Sequence, residues 1–526
     1  MKSASKKNIR KNYFSVLVVL LFLQNFTAQT TSWKGITSSS WNNATNWTAG
    51  VPVATIDAII GDANFTGAFQ PTVNATAACK SLTIGNAAKV SAVNVTKNIT
   101  VSGNILIGNN GTVTHATNNT TITVKGNWTN SGTYSATIST AQVTFSGTTQ
   151  TLTGPGTFKK IMINSGSILT LAANIAVNTS LSISGTIDPG QTFSISGTGS
   201  LTVNSNGKLL VKAANFATNY SLSGSVTLSG TSNVNYASAV IDQTISNAFS
   251  YGYLRVSGGM TKYLSGNLPG LSNSTSSAGR VYIDAGTLDL LTFTANRSAS
   301  GGAFIIGANA KLRIGGTNGF PSNYSSTTIA STSTVEYYGN NQTVLAVTYG
   351  NLTFSSTTGT VVKTMPGNSM TITGNFTSQG GTGTGVSFTA GNNITVNQNV
   401  SLDAASIFNG GSYTLTFKGN FTNNGTFTGN TSTVALSGVS AVVSGTGINN
   451  FNNLTFSGPG ITAASTVLLS VAGNLSTSGS GTFTHASGGQ INVSGTSKTI
   501  TGVGLKLYNC TITGTITTTA TLKKKK

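Results

Sequence analysis

The chain has 526 residues, of which only 7% are charged, with 63 glycines but only 8 prolines. Disordered chains are usually rich in charge and proline, so this composition argues against disorder. The formal net charge is +20, but five basic residues near the N-terminus and the lysines at 523–526 account for nine of these charges. The remaining charge is spread thinly and forms no basic run interleaved with aromatic residues, which argues against nucleic acid as a partner.

The first 28 residues have the pattern of a secretory signal peptide. Basic residues including Lys2, Lys6 and Arg10 precede the apolar run YFSVLVVLLFL at 13–23, and we expect cleavage after Ala28. This run is too short to span a bilayer as a mature helix, so an uncleaved membrane anchor is the minor alternative. The sequence therefore predicts an exported protein, secreted or on the cell surface, with no membrane span after signal removal.

Residues 29–60 hold three of the four tryptophans of the chain, Trp33, Trp41 and Trp47. They lie directly ahead of a repetitive region. The first turn of a repeat protein needs an atypical segment to cover its open end, and bulky indoles suit that purpose. We therefore interpret 29–60 as a Trp-rich N-terminal cap, with an aromatic platform for glycan contact as the alternative role of the three indoles.

Residues 61–526 read as short strands punctuated by Gly and Asn, in which apolar residues alternate with Ser, Thr and Asn. Related blocks recur along the chain, beginning at Val143, Val234, Val335, Val434 and Val493. Four blocks end in an aromatic-x-x-aliphatic-x-apolar signature, at Phe158/Ile161/Ile163, Tyr251/Leu254/Val256, Tyr349/Leu352/Phe354 and Phe451/Leu454/Phe456. A second signature, Gly-Asn before a large apolar residue, occurs at Trp128, Leu268, Phe376, Phe421 and Leu475.

These repeats predict an all-β fold, a right-handed parallel β-helix (β-solenoid) that occupies 61–526. Coils of roughly 20 to 25 residues would place four or five coils between the starts of successive blocks among the first four. The alternative is an array of β-sandwich domains, but the blocks lack a recurring Trp and Cys pair and have no proline-marked linkers. We expect the signature residues Ile161, Leu352 and Phe456 to line the interior of the coils.

The cap and the repeats resemble a known class of proteins. The residues W-x-G, W, N-W, G-V-P and Asp, followed by C-x-S-L-T-I, are similar to the start of repetitive β-helical, adhesin-like surface proteins exported by the type IX secretion pathway. The G-N-F-x-N-x-G-x-F and F-x-N-L-x-F blocks extend the likeness over nearly the whole mature chain. Such proteins normally finish with a C-terminal sorting domain. This chain stops at TITTTATLKKKK, so we expect either a fragment of a longer protein or release by another route.

The two cysteines test the predicted strand register. Cys79 and Cys510 fall at inward positions of the block-ending pattern, so we expect both to be small buried hydrophobes. They lie near opposite ends of the predicted repeats, and no disulfide between them is expected.

Few residues could carry chemistry. The closest candidates for paired carboxylates are Asp284 and Asp289, with Asp57 and Asp62, and a turn or cap role is expected for each. His115 and His485 occupy equivalent repeat contexts, GTVTHA and GTFTHA, and are expected to be partly exposed residues at strand ends.

The sequence thus predicts neither catalytic residues nor a bound metal or cofactor. We expect a secreted, non-enzymatic surface protein, a rigid β-helical rod that serves adhesion or outer-layer structure. Extracellular polysaccharide or other cell-surface components are the expected partners. The alternative is a carbohydrate-binding or polysaccharide-degrading β-helix protein, since this fold also hosts such enzymes.

Overall fold

The structure, a computed structural model, describes residues 29–269, 279–380 and 384–519. The predicted signal peptide lies outside the described residues. Helix is almost absent from the described chain, which has one 3-10 turn at Ala44–Asn46 and one four-residue helix, α1 (Phe216–Asn219). In the described part, no helix has the length and apolar character needed to cross a membrane.

The chain forms two compact units. The described part of unit 1 extends to Leu181 and includes Ser196–Gly199, whereas unit 2 comprises Ser182–Ile195 and the residues from Ser200 onward. Both units are β-solenoids built from parallel sheets, with about 21 turns in the two together. The prediction of a β-helix is confirmed, and the alternative of β-sandwich domains is wrong, because sandwiches are built from antiparallel sheets.

The strands of the first part of the chain are short and, with few exceptions, alternate inward and outward residues. They are β1 (Thr30–Ser32), β2 (Asp57–Ile60), β3 (Thr72–Val73), β4 (Ala77–Cys79), β5 (Leu82–Ile84), β6 (Ser91–Val95), β7 (Ile99–Val101), β8 (Ile105–Ile107), β9 (Gly111–His115), β10 (Thr121–Val124), β11 (Trp128–Asn130), β12 (Thr133–Ala136), β13 (Gln142–Phe145), β14 (Thr149–Thr153), β15 (Gly156–Ile163), β16 (Ile168–Leu171), β17 (Ile175–Ile183), β18 (Thr186–Asp188) and β19 (Ile195–Gly197).

The next group of strands belongs to unit 2. It comprises β20 (Ser200–Val203), β21 (Lys208–Val211), β22 (Tyr220–Leu222), β23 (Val226–Leu228), β24 (Asn233–Tyr236), β25 (Gln243–Ile245), β26 (Tyr253–Val256), β27 (Thr261–Leu264), β28 (Arg280–Ile283), β29 (Thr287–Asp289), β30 (Gly301–Ile306), β31 (Lys311–Ile314), β32 (Tyr324–Ile329), β33 (Thr334–Tyr337), β34 (Gln342–Thr343), β35 (Asn351–Ser355), β36 (Thr360–Thr364) and β37 (Met370–Ile372).

The remaining strands continue unit 2. They are β38 (Phe376–Gln379), β39 (Gly385–Thr389), β40 (Ile394–Val396), β41 (Val400–Leu402), β42 (Ser406–Asn409), β43 (Thr414–Phe417), β44 (Phe421–Asn423), β45 (Thr426–Thr428), β46 (Thr433–Leu436), β47 (Val442–Ser444), β48 (Ile448–Phe451), β49 (Asn453–Phe456), β50 (Ile461–Ala463), β51 (Leu468–Val471), β52 (Leu475–Thr477), β53 (Phe483–His485), β54 (Gln490–Thr501), β55 (Leu505–Lys506) and β56 (Asn509–Thr518).

Most coils have three strands, so that each strand pairs with the third strand after it. In unit 1 the order β2-β5-β8-β11-β14 shows this spacing, and in unit 2 it recurs in β35-β38-β41-β44-β47-β50-β53. Between β24 and β33 the coils have two strands, and pairing runs β24-β26-β28-β30 and β25-β27-β29-β31-β33. Paired residues lie 17 positions apart for Val335 and Leu352 and 27 apart for Tyr253 and Arg280, so the coil length varies.

Each recurring block is one short coil whose two ends stack on each other. The valine that starts a block pairs in register with the aliphatic residue of its closing signature, as Val143 with Ile161 and Val434 with Leu454. In unit 2, Val335, Leu352, Phe376, Val400 and Phe421 are successive register partners. Between four and five coils therefore separate the blocks at Val335 and Val434, as the repeat spacing predicts.

The interior of the coils is filled by the apolar signature residues. Ile161 is 1% exposed, and Leu352 and Phe456 are fully buried, as predicted. A series of phenylalanine rings runs through unit 2, where Phe388 and Phe408 stack with their centroids 4.5 Å apart. Burial of such stacked apolar side chains between parallel strands supplies the main stabilisation of the fold.

The Gly-Asn signature builds ladders of asparagine side chains between coils. The backbone N–H of Asn399 donates to Oδ1 of Asn375 at 3.1 Å, and the N–H of Asn420 donates to Oδ1 of Asn399 at 2.9 Å. The glycine ahead of the asparagine is needed because a Cβ at Gly374 would lie 2.4 Å from Oδ1 of Asn351. The second sequence signature is therefore a turn motif that joins successive coils through hydrogen bonds.

The predicted burial of the cysteines is correct for one of the two. Cys79 is fully buried, whereas Cys510 is exposed, and both are free thiols. Cys510 has the expected register, paired with the buried Ile491, but it lies on β56, which pairs only with β54 among the described strands. The prediction for Cys510 is wrong because an inward position is buried only where another coil covers it.

Candidate functional site

The three clustered tryptophans pack against one another inside unit 1. The Trp33 and Trp47 rings meet edge to face with centroids 5.0 Å apart, and Trp41 and Trp47 do the same at 4.8 Å. Trp33 donates from Nε1 to the carbonyl of Phe69 at 2.8 Å, and Trp47 donates to the carbonyl of Trp41 at 2.7 Å. All three are at most 1% exposed. The cap and glycan-contact interpretations both stay predictions, but burial of the indole faces favours the cap.

Two further residues of the resemblance motif hold this cluster in place. Asn46 is fully buried, donating to the carbonyls of Ser38 and Ser40 and accepting from the N–H of Thr37. Gly35 has a φ of +64°, and a Cβ there would lie 2.4 Å from the carbonyl oxygen of Phe69. The spacing of the motif therefore has a structural reason, which is the packing of the tryptophans.

The carboxylates predicted as candidates do not converge. In unit 1, Asp57 pairs with Lys80 at 3.3 Å, and Asp62 accepts from the N–H of Asn64 two residues on. In unit 2, Asp284 pairs with Arg255, whereas Asp289 accepts from the N–H of Leu291. The expected turn role therefore holds for Asp62, and Asp289 combines a turn role with an ion pair to Arg313. It is wrong for Asp57 and Asp284, whose carboxylates form ion pairs with bases on a neighbouring coil.

Asp289 and Glu336 are brought near each other by an arginine between them. Asp289, Arg313 and Glu336 are register partners on three successive strands, β29, β31 and β33. Arg313 donates from Nη1 to Asp289 at 2.6 Å and from Nε to Glu336 at 3.0 Å. Its guanidinium also lies over the ring of Tyr338, 4.2 Å from the centroid. Both carboxylates are almost fully buried, at 1% and 5% exposed.

The electrostatics of this ladder keep Glu336 ionised. Burial alone would raise the pKa of Glu336, but hydrogen bonds from Lys311 and Ser355 and the charge of Arg313 lower it overall. Glycoside hydrolysis needs one carboxyl that stays protonated to act as the general acid. Asp289 and Glu336 instead form an ion-pair ladder across the coils.

The two histidines are buried, which corrects the prediction of partial exposure. His115 is fully buried and His485 is 3% exposed, although each is the last residue of its strand. Thr120 donates its hydroxyl to Thr117, so Nε2 of His115 donates to Thr120 at 2.6 Å and Nδ1 accepts from Tyr134. Burial lowers the pKa of His115 to about 4, so the ring is neutral at pH 7. The strand ends are buried because adjoining turns of the coil cover them.

Sequence reasoning missed two buried lysines in unit 2. Lys262 and Lys363 are fully buried and each is the register partner of a buried glutamine, Gln243 and Gln342. Lys262 donates to the carbonyl of Ser238 at 2.8 Å. Lys363 donates to Oε1 of Gln342, also at 2.8 Å. Burial lowers the pKa of Lys262 to about 8 and that of Lys363 to about 7. The recurring Gln-Thr pair of the blocks is the sequence signal for the glutamines.

A second feature that the sequence reasoning missed lies on the outward face of β26 and β28. We define the tyrosine–arginine patch as Tyr253, Arg255, Arg280 and Tyr282. Register pairing of Tyr253 with Arg280 and of Arg255 with Tyr282 arranges the four side chains as a checkerboard. The guanidinium of Arg255 lies 4.8 Å from the Tyr282 ring centroid, and that of Arg280 lies 5.3 Å from the Tyr253 centroid. The alternating YLRV and RVYI segments are its sequence signal.

Unit 1 has an open cleft of about 410 Å³, lined by residues that include Asn130, Thr133, Tyr134, Pro155 and Ile175. It lies beside the aromatic cluster of Trp128, Tyr134 and Phe158, but no carboxylate lines it. Across the described residues, no group of three or more His, Cys, Asp or Glu side chains could hold a metal ion. The tyrosine–arginine patch is therefore the best candidate for a functional site, as a binding surface.

Comparison with known proteins identifies no relative. No protein-family model, no curated protein and no solved structure matches the chain.

Proposed function

We propose that this protein is a secreted, non-enzymatic surface protein, whose β-solenoid coils serve adhesion or the building of an outer layer. Three features support the proposal: the signal-like N-terminal sequence, the resemblance to adhesin-like proteins of the type IX secretion pathway, and the solenoid fold. Polysaccharide or other components outside the cell are the proposed partners. Nucleic acid is not proposed as a partner, because the net charge is thinly distributed.

The observation that carries the non-enzymatic part is the position of Arg313 between Asp289 and Glu336. These are the two carboxylates that share a donor in the described structure, and the arginine holds them as an ion-pair ladder. The remaining six carboxylates of the chain each accept hydrogen bonds or pair with a base, as Asp188 does with Lys212 at 2.6 Å. None of these contacts supplies the free acid and base that glycoside hydrolysis by paired carboxyl groups needs.

A polysaccharide panel tests this part of the proposal. The full chain is incubated with neutral and acidic polysaccharides, and new reducing ends and retention on the immobilised polymer are measured. Binding without new reducing ends is expected. Release of reducing ends that disappears in the double variant Asp289→Asn, Glu336→Gln would contradict the proposal and favour a polysaccharide-degrading protein. Release that persists in this variant also contradicts it when activity copurifies with the chain.

Export is tested separately. The full gene is expressed in a bacterium with an intact type IX pathway and in a strain that lacks it. The proposal expects a mature N-terminus at Gln29, accessibility to added protease at the cell surface, and loss of surface protein in the deficient strain. Protein that remains in the cytoplasm of both strains would contradict it.

A further inference from the structure

The tyrosine–arginine patch differs in chemistry from the rest of the outward surface of unit 2. Outward strand positions elsewhere are mostly Ser, Thr and Asn, such as Thr377 and Ser401. Four of the five arginines of the chain lie between 255 and 313. Two of these form the patch, where the tyrosine rings pack edge to face with centroids 6.0 Å apart. Each guanidinium is thus fixed against an aromatic ring rather than extended into solvent.

A carboxylate neutralises the charge of one arginine of the patch but not that of the other. Arg255 forms a bidentate pair with Asp284, from Nε at 2.8 Å and from Nη2 at 2.9 Å. Arg280 donates from Nη1 to the hydroxyl of Tyr282 at 3.2 Å and pairs with no carboxylate of the described residues. Its Nε is buried and has no hydrogen-bond partner among the described residues, so a ligand cannot reach this N–H. Arg280 therefore keeps its full charge, and its terminal Nη1 and Nη2 groups are the N–H donors that a ligand on the outward face can use.

We infer that the tyrosine–arginine patch binds carboxylate or sulfate groups of an anionic polysaccharide, with Arg280 as the principal anion-binding residue. The inference deepens the proposed function and rests on it for the extracellular setting. A planar guanidinium presents paired N–H donors that match the two oxygens of a carboxylate or sulfate ester. Stacking on Tyr253 orients the guanidinium before the ligand arrives, which reduces the entropy lost on binding.

A polymer fits the patch better than a small anion does. Lys208, Asn233, Tyr253 and Arg280 are successive register partners, and Lys208 is exposed. Three strand spacings separate Lys208 from Arg280, or about 14 Å. A chain with repeated negative groups can contact both cations at once, and such paired contacts raise the apparent affinity.

The same geometry disfavours nucleic acid. In proteins that bind single-stranded nucleic acid, the nucleic-acid bases stack on the faces of aromatic side chains. Here a guanidinium covers a face of each tyrosine ring. The three basic residues Lys208, Arg255 and Arg280 are partly offset by Asp284, which leaves a modest positive charge. That charge suits the sparser anions of a polysaccharide better than a phosphate backbone.

Binding to charged and uncharged polysaccharides tests the inference, with dextran as the uncharged match of dextran sulfate. The probes are dextran sulfate, polygalacturonate and uncharged dextran, and the variants are Arg280→Gln, Lys208→Gln and the control Lys418→Gln. Lys418 is exposed in the same unit and lies outside the patch. The wild type should bind a charged polymer in a salt-sensitive manner and not dextran. Arg280→Gln should lower the affinity at least tenfold, Lys208→Gln by a smaller factor, and Lys418→Gln should leave it unchanged.

The outcomes separate this inference from the proposed function. Equal affinity of the wild type and Arg280→Gln for charged polymers would overturn the site but leave the proposed function standing. Tighter, Arg280-dependent binding of a single-stranded oligonucleotide would assign the patch to nucleic acid and overturn the inference. If the wild type binds neither dextran sulfate nor polygalacturonate, the inference is also overturned. The proposed function fails instead when polymer is cleaved or when the protein is not exported.

Discussion

The backbone N–H of Asn375 donates to the side-chain Oδ1 of Asn351, one coil earlier, at 2.9 Å. The side-chain Oδ1 of Asn375 in turn accepts from the backbone N–H of Asn399, so Asn375 is joined to the preceding coil through its N–H and to the next coil through its side chain. This contact explains why Gly-Asn recurs in the sequence at one corner of the coil. Since each asparagine satisfies a backbone donor at a turn, its loss exchanges a protein hydrogen bond for one to water.

Replacement of Asn375 by alanine should therefore weaken the fold. Loss of the acceptor for the Asn399 N–H is expected to cost about 0.5–1.5 kcal/mol of unfolding free energy, because this hydrogen bond is exposed and water can replace the acceptor. The denaturant midpoint of the variant is compared with that of Asn368→Ala, an exposed asparagine outside the ladder. Asn368→Ala should have little effect. Equal midpoints for the two variants would show that the ladder does not contribute to stability.

Phe408 and Ile407 are neighbours on β42, and one side chain faces the interior of the coil whereas the other faces outward. Phe408 is 1% exposed and stacks on Phe388, whereas its neighbour Ile407 is 40% exposed. Phe408→Ala should destabilise the protein by about 3–5 kcal/mol, because it removes a buried ring and leaves a cavity. Ile407→Ala should change the unfolding free energy by less than about 0.5 kcal/mol. Denaturant unfolding of both variants measures the difference, and a larger effect at Ile407 would mean that the strand faces are reversed.

Thiol accessibility should distinguish the two cysteines. Cys510 is exposed and should react with a water-soluble thiol reagent in the native protein at pH 8. Cys79 is fully buried, and burial, with the nearby Asp57 carboxylate, raises its pKa to about 12, so it should stay protected. One thiol per chain is expected to react natively and two in denaturant. Two rapidly reacting thiols in the native state would contradict the packing around β4.

The buried lysines predict a pH-dependent stability. Burial lowers the pKa of folded Lys363 to about 7, below the ordinary value of 10.5, so the unfolded chain binds more protons between these values. The contribution of Lys363 to the unfolding free energy should therefore rise with pH from about 7 to 10.5. Its slope is at most about 1.4 kcal/mol per pH unit. Below pH 7 the full cost of the buried charge is present.

Denaturant midpoints measured between pH 7 and pH 10 test this effect. Lys363→Met should reduce the rise in stability with pH, because the titrating group is gone. Exposed Lys418 supplies the control variant Lys418→Met, which should retain the wild-type slope. If Lys363→Met also retains that slope, the lysine is not buried as described.

Much of the fold could be predicted because strand alternation and repeats report directly on the interior. The inward positions at Ile161, Leu352 and Phe456 follow from alternation within a strand, and the blocks follow from the stacking of one coil end on the other. The prediction failed for Cys510 because burial requires a covering coil, which alternation within a single strand does not reveal.

The candidate site was harder to predict, because its contacts join residues on successive coils of unequal length. Arg255 meets Tyr282 27 positions later, whereas Arg313 meets Glu336 after 23. No fixed sequence period relates such partners. The buried histidines were missed for a similar reason, since the turns that cover them differ in length and sequence from coil to coil.

Stacking of coils in parallel register is the central claim, and disulfide cross-linking tests it most directly. Thr377 and Ser401 are register partners on neighbouring coils, and Thr422 is the partner of Ser401 on the next coil. In a Cys510→Ser background, Thr377→Cys with Ser401→Cys should cross-link under mild oxidation, because paired strands lie about 4.8 Å apart. Thr377→Cys with Thr422→Cys should not, because two strand spacings exceed the reach of a disulfide. Equal cross-linking of both pairs, or of neither, would contradict the stacked register.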